Sequence, residues 1–552
     1  MSVSAASAAS AVSPSVPRAF VGAERAQRWL PWLVGALALV ATMHAIEPLP
    51  VGVFYDDAQY LILAKSLATG HGYRFLNLPG APLATHFPPG YPAFLALLWS
   101  IAPAFPENVA LFKFANALLL AVVALLAYRF ATKALDVPPA VAAAAALAGT
   151  ATIPSLVLSS AIMSEPLFLA LLLPALAWSE RESRPNPYRS SREALRSALL
   201  LGAAIGVIAL VRTHGIALAG AVVATYIVRG RRIEAVACAA VTCSLLAPWM
   251  LWVAAYNDSL PPVVRGAYGS YFGWLATGLR IEGVHLLAVT LPDNVATIYM
   301  SIVRSIVPDI HWSIDLVVGV IYAAACLIGI VRCWARTRVM ILFIALYLAI
   351  VLVWPFSPLR FVWGIWPLVM LLPAVGVAAA WRAQIVRQRF TARAALIAAG
   401  AVLGLGIASF NVRGYANAWW SSNARFHARR VIPQLAWVAR ATQPRDVVAA
   451  DAEAAVYLYT GRQAVPITSF TAIEYAHERS VAEEMLIIRQ LLDQYRPKYV
   501  LATSPQVVDA TANLSRSREA RLVRIDSLGQ GAVYVYSACM RLAPPTLPPP
   551  CE

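Results

Sequence analysis

Two adjacent carboxylates stand just after the first apolar segment of the chain. They are Asp56 and Asp57, in the run VFYDDAQY over residues 53–60. Acidic residues beside a membrane are costly to keep there, and those that persist usually serve a function. A carboxylate that is partly removed from water can act as a general base towards a hydroxyl group. Capping a helix would need only one of the two, so the pair predicts a catalytic role for at least one of them.

Four further polar residues could complete a site. Arg212 and Arg360 are predicted at the ends of apolar segments on the side of the acidic pair, where a guanidinium could bind phosphate or reach towards lipid headgroups. Glu165 opens another segment on this side, and could take part in chemistry or stabilise the start of a helix. His86 is either a phosphate ligand or an ordinary surface histidine.

Aromatic residues cluster farther along the chain, at Tyr268, Tyr271, Phe272 and Trp274. Such residues commonly lie at the interface between membrane and water. They could equally stack on a sugar or cover an active site. Of these alternatives, we favour a position of the cluster at the membrane interface.

The composition indicates a protein that crosses a membrane several times. The chain has 552 residues, of which 60% are hydrophobic and 13% are charged, and its mean hydropathy is +0.65. Soluble globular proteins carry about 25% charged residues. The net charge of +16 could indicate nucleic acid or anionic lipid as a partner. Because the basic residues fall in particular loops, we assign this charge to membrane topology and expect no nucleic acid partner.

Apolar runs of about 20 residues are long enough to cross a bilayer as helices. The predicted spans, about eleven in all, cover residues 29–46, 107–131, 138–158, 165–179, 196–211, 213–228, 235–255, 313–332, 339–355, 361–381 and 392–410. With the N-terminus inside, every predicted cytoplasmic loop is basic, as the positive-inside rule requires. The shorter run 91–104 is predicted to be interfacial or re-entrant, because a full span there would invert every later loop.

This topology divides the chain into a membrane domain and an outer domain. Residues 1–28 are predicted to be a disordered cytoplasmic segment. Residues 29–410 form a transmembrane domain with large outer loops at 47–106 and 256–312. Residues 411–540 are predicted to be an extracytoplasmic α/β domain, and 541–552 a proline-rich tail.

The outer domain shows short strand and helix patterns. Strands are predicted at 447–450, 499–502, 522–525 and 532–536, and helices at 452–459 and 481–495. Cys539 and Cys551 could form a disulfide if they lie outside the cytoplasm. No cysteine or histidine spacing typical of a metal site is present.

The acidic pair is predicted to begin a short amphipathic helix. Apolar residues recur at helical spacing along one side, namely Tyr60, Leu63, Ala64, Leu67 and Ala68. Gln59, Ser66 and Thr69 lie on the other side, and Gly70 and Gly72 end the pattern. We expect this helix to lie on the membrane surface.

Several motifs, taken in order, resemble those of the GT-C glycosyltransferases. They are YDDAxY at 55–60, AxxLxxGxGY at 64–73, HxPPGYP at 86–92, LSxxxMSEP at 158–166, GxxxLxRxxG at 206–215, APW at 247–249, PxRF at 358–361 and YxxTGR at 457–462. The set is similar to the bacterial group related to protein O-mannosyltransferases and lipid A aminoarabinose transferases. Each motif alone is weak, but the ordered set extends over most of the chain.

The resemblance implies a GT-C fold and the transfer of a sugar from a polyprenyl-phosphate donor. It implies Asp56 as catalytic base, with Asp57 supporting it, although many relatives have Asp-Glu where this chain has Asp-Asp. Arg360 and Arg212 would hold the departing phosphate, which needs cationic stabilisation. The anomeric configuration would invert in a single displacement.

Other functions remain open at this stage. The alternative is a transporter or flippase of a lipid-linked sugar, although inverted repeats and interrupted helices are not evident. A non-catalytic envelope assembly factor would leave the acidic pair without a role. The acceptor could be a lipid, a glycan or a protein, and the acidic pair beside a phosphate could hold a divalent cation. The expected location is the cytoplasmic membrane of a bacterium, in contact with membrane lipids.

Overall fold

The computed structural model describes residues 18–184, 190–308, 311–334, 336–354, 356–470, 474, 479–517, 522–528 and 533–538. The predictions for the first 17 residues, for the proline-rich tail and for a disulfide between Cys539 and Cys551 lie outside the described residues.

Most of the described chain is helical, as its long apolar runs predict. The helices are α1 Arg18–His44, α2 Asp56–Ala68, α3 Gly90–Ile101, α4 Val109–Lys133, α5 Pro139–Thr150, α6 Ile153–Ser160, α7 Glu165–Glu182, α8 Ser191–Val211, α9 Ile216–Val228, α10 Arg232–Tyr256, α11 Arg265–Tyr268, α12 Tyr271–Glu282, α13 Val284–Val303, α14 Trp312–Cys333, α15 Arg338–Leu352, α16 Pro358–Trp363, α17 Trp366–Arg382, α18 Gln384–Gln388, α19 Phe390–Ala416, α20 Ser422–Ala441, α21 Glu453–Thr460, α22 Val481–Tyr495 and α23 Pro505–Arg516.

The predicted polytopic helical architecture is confirmed. Within the described residues, six helices are by themselves long and apolar enough to cross a membrane: α4, α8, α10, α13, α14 and α19. The pair α5 and α6, bent by 46°, would make a seventh. Helices α3, α9, α15 and α17 are apolar but shorter. The count of about eleven spans therefore stays a prediction.

Contacts bring the predicted cytoplasmic loops together at one end of the bundle. Asp136, after α4, accepts from Arg382 at 2.7 Å and lies 3.5 Å from Arg336. Arg231 donates to the carbonyl of Glu182 at 2.6 Å. Five loops that are far apart in sequence thus meet on one side. We call this side the basic end.

The segment predicted as the outer loop 256–312 contains helices α11, α12 and α13. Asn294, in the middle of α13, donates to the carbonyls of Leu352 and Trp354 at the end of α15. Ser305, just beyond α13, accepts from Trp363 at 3.1 Å. Because α15 starts and α17 ends at the basic end, these contacts place α13 along the opposite end of the bundle. Length and apolarity alone would count α13 as a span.

Helix α2 forms where predicted, but the prediction that it lies on the membrane surface is wrong. Gln59 and Ser66, on its polar side, are fully buried along with the apolar residues. Helix α3 covers one side of α2, and α21 from the C-terminal domain contacts another. Ser66 donates to the carbonyl of Gly72 at 2.7 Å, whereas the buried amide of Gln59 has no hydrogen-bond partner among the described residues, and Thr69 at the end of the helix is exposed.

The C-terminal region contains the predicted small sheet. Its strands are β1 Val448–Ala450, β2 Ala464–Pro466, β3 Tyr499–Ala502, β4 Leu522–Leu528 and β5 Val533–Ala538. Their order is β2-β1-β3-β5-β4, with β1 parallel to both β2 and β3 and the other pairs antiparallel. Strand β2 and helices α20 and α23 were not predicted; β2 has only three residues, too few to show a pattern. Helix α22 starts with a capping box between Ser480 and Glu483.

Candidate active site

Four of the charged residues singled out from the sequence meet in one chain of contacts. Asp56 Oδ2 lies 2.5 Å from Arg360 Nη2, and Arg360 Nε lies 3.9 Å from Glu165 Oε1. Glu165 is in turn 3.0 Å from Arg212 Nη1. Asp56, Glu165 and Arg212 are buried, and the Arg360 side chain is 21% exposed. Two carboxylates and two guanidiniums thus alternate at the ends of four helical segments.

Asp57 has a different environment from its neighbour. Its two carboxylate oxygens accept from the backbone N–H groups of Gly52, Val53 and Phe54, at 2.7, 3.2 and 3.0 Å. The side chain therefore ties the entry loop to the start of α2. Of the acidic pair, only Asp56 contacts another charged group of the site.

Close backbone packing positions Arg212. It adopts an extended conformation directly after α8, and Nη1 donates to Ser164 at 3.1 Å. A Cβ on Gly215 would lie 2.8 Å from the backbone N of Ala209, so the tight turn after Arg212 requires glycine. A Cβ on Gly90 would lie 2.7 Å from the Leu210 carbonyl. Two motifs that are more than a hundred residues apart in sequence therefore meet beside this arginine.

His86 lies near the site but is held as a neutral imidazole. Nδ1 is 2.5 Å from the carbonyl of Gly269, an acceptor, so Nδ1 carries the proton and donates it. The ring packs on Tyr271 with centroids 4.1 Å apart. Burial lowers the pKa of His86 below its usual value. A neutral ring with its lone pair on Nε2 does not favour the predicted role as a phosphate ligand.

A second buried network holds the residue before Asp56. Tyr55 has φ +66° and ψ −54°, a strained conformation that costs on the order of 1–3 kcal/mol. Its hydroxyl donates to Glu453 Oε1 at 2.5 Å, and Tyr268 donates to the same oxygen at 2.6 Å. Asn77 donates to Tyr268 at 2.7 Å. Burial raises the pKa of Glu453 to about 7, despite the two hydroxyl donors.

The prediction that the aromatic cluster lies at the membrane interface is wrong for three of its four members. Tyr268 is fully buried and Trp274 is 8% exposed. Tyr271 packs between His86 and Trp354. Only Phe272, at 76% exposed, faces outwards. Tyr268 and Trp274 contact the C-terminal domain, at Glu453 and Phe470 respectively, whereas Tyr271 packs within the membrane domain.

A cavity of about 700 Å³ opens beside Asp56 and Arg360. We call it the interdomain cavity, because its walls come from both domains. The membrane domain contributes Phe54, Tyr55, Asp56, His86, Tyr271, Phe356 and Arg360, and the C-terminal domain contributes Asp451, Glu453, Phe470, Arg479 and Glu484. A smaller pocket on the other side of Asp56 reaches Arg212 and His214. The carboxylate of Asp56 therefore stands between two spaces.

The arrangement does not fit a divalent cation. Both oxygens of Asp57 are occupied by backbone donors, and Asp56 faces an arginine. In the part of the chain that the structure describes, no three His, Cys, Asp or Glu side chains converge as metal ligands would. The expectation that the acidic pair could hold a metal is therefore not supported by its geometry.

Sequence reasoning did not single out Glu453 or His214, and it assigned Tyr55 and Tyr268 no contact with an acidic residue. Glu453 lies in the predicted helix 452–459, and nothing in its local sequence marks it as buried. His214 follows Arg212 by two residues, is buried, and is surrounded by the rings of Tyr347, Trp354 and Phe361. Its burial depends on rings that come from α15, α16 and the segment between them, and the local sequence does not reveal these contacts.

Comparison with known proteins identifies the fold. No protein-family profile matches the chain, and no curated protein sequence matches it. The crystal structure of ArnT from Cupriavidus metallidurans in the apo state matches with a TM-score of 0.53 and 14% identity, covering 95% of this chain and all of that one. The Archaeoglobus fulgidus oligosaccharyltransferase in complex with zinc and sulfate matches with a TM-score of 0.48 and 12% identity, over 85% of this chain and 67% of that chain. The first match shows that this chain has an ArnT-like fold, as the motif resemblance led us to expect, and the second is too distant to support an argument.

Proposed function

We propose that the chain is a membrane glycosyltransferase that moves a sugar from a polyprenyl-phosphate donor to an acceptor hydroxyl. The reaction would take place at the outer face of a bacterial cytoplasmic membrane, with the C-terminal domain outside. The observation that carries the proposal is the contact chain from Asp56 through Arg360 and Glu165 to Arg212, at the mouth of the interdomain cavity. The GT-C fold and the ordered motifs support the same activity.

In this mechanism Asp56 is the general base. It accepts the proton of the acceptor hydroxyl as the oxygen attacks the anomeric carbon of the donor. The new glycosidic C–O bond forms while the bond between the sugar and the phosphate oxygen breaks. The configuration at the anomeric carbon inverts, because attack and departure occur on opposite faces.

The two arginines would stabilise the leaving group. As the bond breaks, negative charge develops on the lipid phosphate, and a guanidinium can bind it through several N–H donors at once. Arg360 contacts Asp56 and Glu165 through Nη2 and Nε, which leaves further donors for a phosphate. Glu165 would hold both arginines in place as a positioning residue, and not as the base.

The test compares sugar transfer by wild type and by Asp56→Asn. Labelled sugar on a polyprenyl phosphate is supplied to membranes containing equal amounts of each protein, and the glycosylated product is counted. Loss of the base should lower the rate by about 10²–10⁴-fold. The matched control is Asp293→Asn, which neutralises an exposed carboxylate on α13 and should transfer at the wild-type rate.

Two outcomes would overturn the proposal in different ways. Undiminished transfer by Asp56→Asn would remove this residue as the base and leave Glu165 as the next carboxylate to test. Movement of labelled lipid across the bilayer by wild type, with no glycosylated product, would establish a transporter instead.

A further inference from the structure

The interdomain cavity offers the route by which a second substrate could reach Asp56 from the C-terminal domain. On the membrane side its wall carries the pair of Asp56 and Arg360. On the other side it carries Asp451, Glu453 and Glu484. Whatever enters the cavity must therefore be compatible with a wall rich in carboxylates.

The described residues that line the cavity carry more negative than positive charge. The acidic residues are Asp56, Asp451, Glu474 and Glu484, together with Glu453, which is partly neutral because burial raises its pKa to about 7, and the cations are Arg360 and Arg479. Arg479 is paired with Glu474 and Glu484, and the donors that Arg360 keeps beyond its contact with Asp56 would be taken by the phosphate of the donor. A second phosphate group, carried by an acceptor, would therefore meet like charge without a further cation from the described lining, which disfavours its binding.

The same wall has unused hydrogen-bonding capacity. Asp451 Oδ1, Glu453 Oε2 and Glu484 Oε1 are buried and have no hydrogen-bond partner among the described residues. Glu453 and Glu484 are 1% and 5% exposed as residues. Buried polar atoms nearly always have partners, so these oxygens, which are covered in this structure but belong to residues that line the cavity, could accept from a bound molecule after a small side-chain movement. A hydroxyl group is such a donor.

Aromatic rings complete the wall. Phe356 and Phe470 line the cavity and stack with centroids 5.0 Å apart and ring planes at 17°. Tyr271 borders the same space beside His86. A flat apolar surface next to carboxylate oxygens suits a sugar, whose C–H face packs on a ring while its hydroxyls reach the rim.

We infer that the interdomain cavity binds the acceptor, and that this acceptor is the neutral, hydroxyl-rich end of a glycan. The inference rests on the proposed function, because it assigns the second substrate of the same reaction. One hydroxyl of the bound sugar gives its proton to Asp56, and its oxygen forms the new bond to the donor sugar as the donor phosphate departs. The charge of the wall disfavours an acceptor that carries a phosphate group in this cavity.

The experiment measures binding to the full chain in lipid nanodiscs, without sugar-containing detergents. The probes are neutral trisaccharides of different sugars, each paired with the same trisaccharide carrying one phosphate monoester, and trilysine. Saturation-transfer NMR reports which probes bind and how tightly. At least one neutral trisaccharide should bind about tenfold more tightly than its phosphorylated partner.

Variants test whether this binding occurs in the cavity. Phe470→Ala removes one face of the aromatic wall and should weaken the neutral probe about tenfold, whereas Phe470→Tyr keeps the ring and should not. Glu484→Gln removes one of the two carboxylates that pair with Arg479. The difference in affinity between the neutral and the phosphorylated probe should therefore become smaller. The control is Asp509→Asn, an exposed change on α23.

Several results would overturn the inference. They are equal or tighter binding of the phosphorylated probes, tighter binding of trilysine than of any neutral sugar, and no binding of any neutral probe. Hydrolysis of the donor by water, followed in the same nanodiscs without acceptor, separates this failure from failure of the proposed function. If hydrolysis of the donor requires Asp56 but no neutral glycan binds, the assignment of the acceptor is wrong and the proposed function still stands.

Discussion

At the scale of single residues, the sequence identified the acidic pair but could not divide the roles within it. Both residues are aspartates in the same local motif, so their side chains are equivalent until their partners are known. Asp57 contacts backbone within five residues, whereas the partner of Asp56 is Arg360, 304 positions away in sequence. Only the fold brings that arginine into contact, so the residues alone could not distinguish the two, and Asp56 was expected to be the base only because of the motif resemblance.

The contacts of Asp57 predict that Asp57→Asn acts on stability first. An amide can accept through one oxygen only, so its NH2 group would face a backbone N–H that Asp57 now satisfies. Leaving a buried donor without a partner costs about 1–3 kcal/mol. We therefore expect a lower melting temperature. Transfer activity should fall only as far as the fraction of folded protein falls.

Thermal unfolding and activity of the same purified samples would check this expectation. Asp293→Asn again serves as the control, since its carboxylate is exposed on α13. An unchanged melting temperature together with complete loss of transfer would instead point to Asp57 as the base.

At the scale of elements, α2 shows where periodicity is informative and where it fails. Its apolar stripe predicted the helix at the right position, because that spacing is set by the helix itself. Its polar side was expected to face water, yet it is covered by α3 and the loop at Gly72. The environment of Tyr55, just before α2, is set by α21 of the C-terminal domain, which a local pattern cannot reveal.

Glu453 on α21 should make the stability of the protein depend on pH. Its pKa is about 7 in the folded protein, against an ordinary value of 4.5 in the unfolded chain. The folded state therefore holds this proton more tightly. The stabilisation is fully present below about pH 4.5 and is lost as the pH rises through about 7, a change of about 3 kcal/mol.

The expected result is that the melting temperature of wild type falls between about pH 5 and about pH 8. Glu453→Gln carries no titrating proton and should show a smaller fall, while Asp509→Asn, exposed in the same domain, should behave like wild type. Differential scanning fluorimetry of the purified proteins measures both. Identical pH profiles for wild type and Glu453→Gln would mean that Glu453 does not titrate in this range.

At the scale of the whole molecule, charge pattern predicted more than apolarity did. The runs of arginine predicted which loops lie together, and contacts such as those of Asp136 with Arg336 and Arg382 do bring loops of that set together. Judged by its length and apolarity alone, α13 would be counted as a membrane-spanning helix. Helices α10 and α15 both begin at the basic end, so the chain must cross the membrane an even number of times between these two points. Helices α10 and α14 account for two crossings. A third crossing by α13 would place the start of α15 at the opposite end of the bundle.

We therefore expect α13 to lie along the outer end of the bundle without crossing the membrane. Single cysteines placed in a cysteine-free background would show it, at the exposed positions Arg336 and Asp509. If the C-terminal domain is outside, as we propose, a membrane-impermeant maleimide should label Asp509→Cys in intact cells. If the basic end faces the cytoplasm, as its arginines predict, the reagent should label Arg336→Cys only after the cells are permeabilised. Labelling of Arg336→Cys in intact cells, while Arg232→Cys at the exposed start of α10 is still labelled only after permeabilisation, would mean that α13 does cross and that the loops after it are inverted.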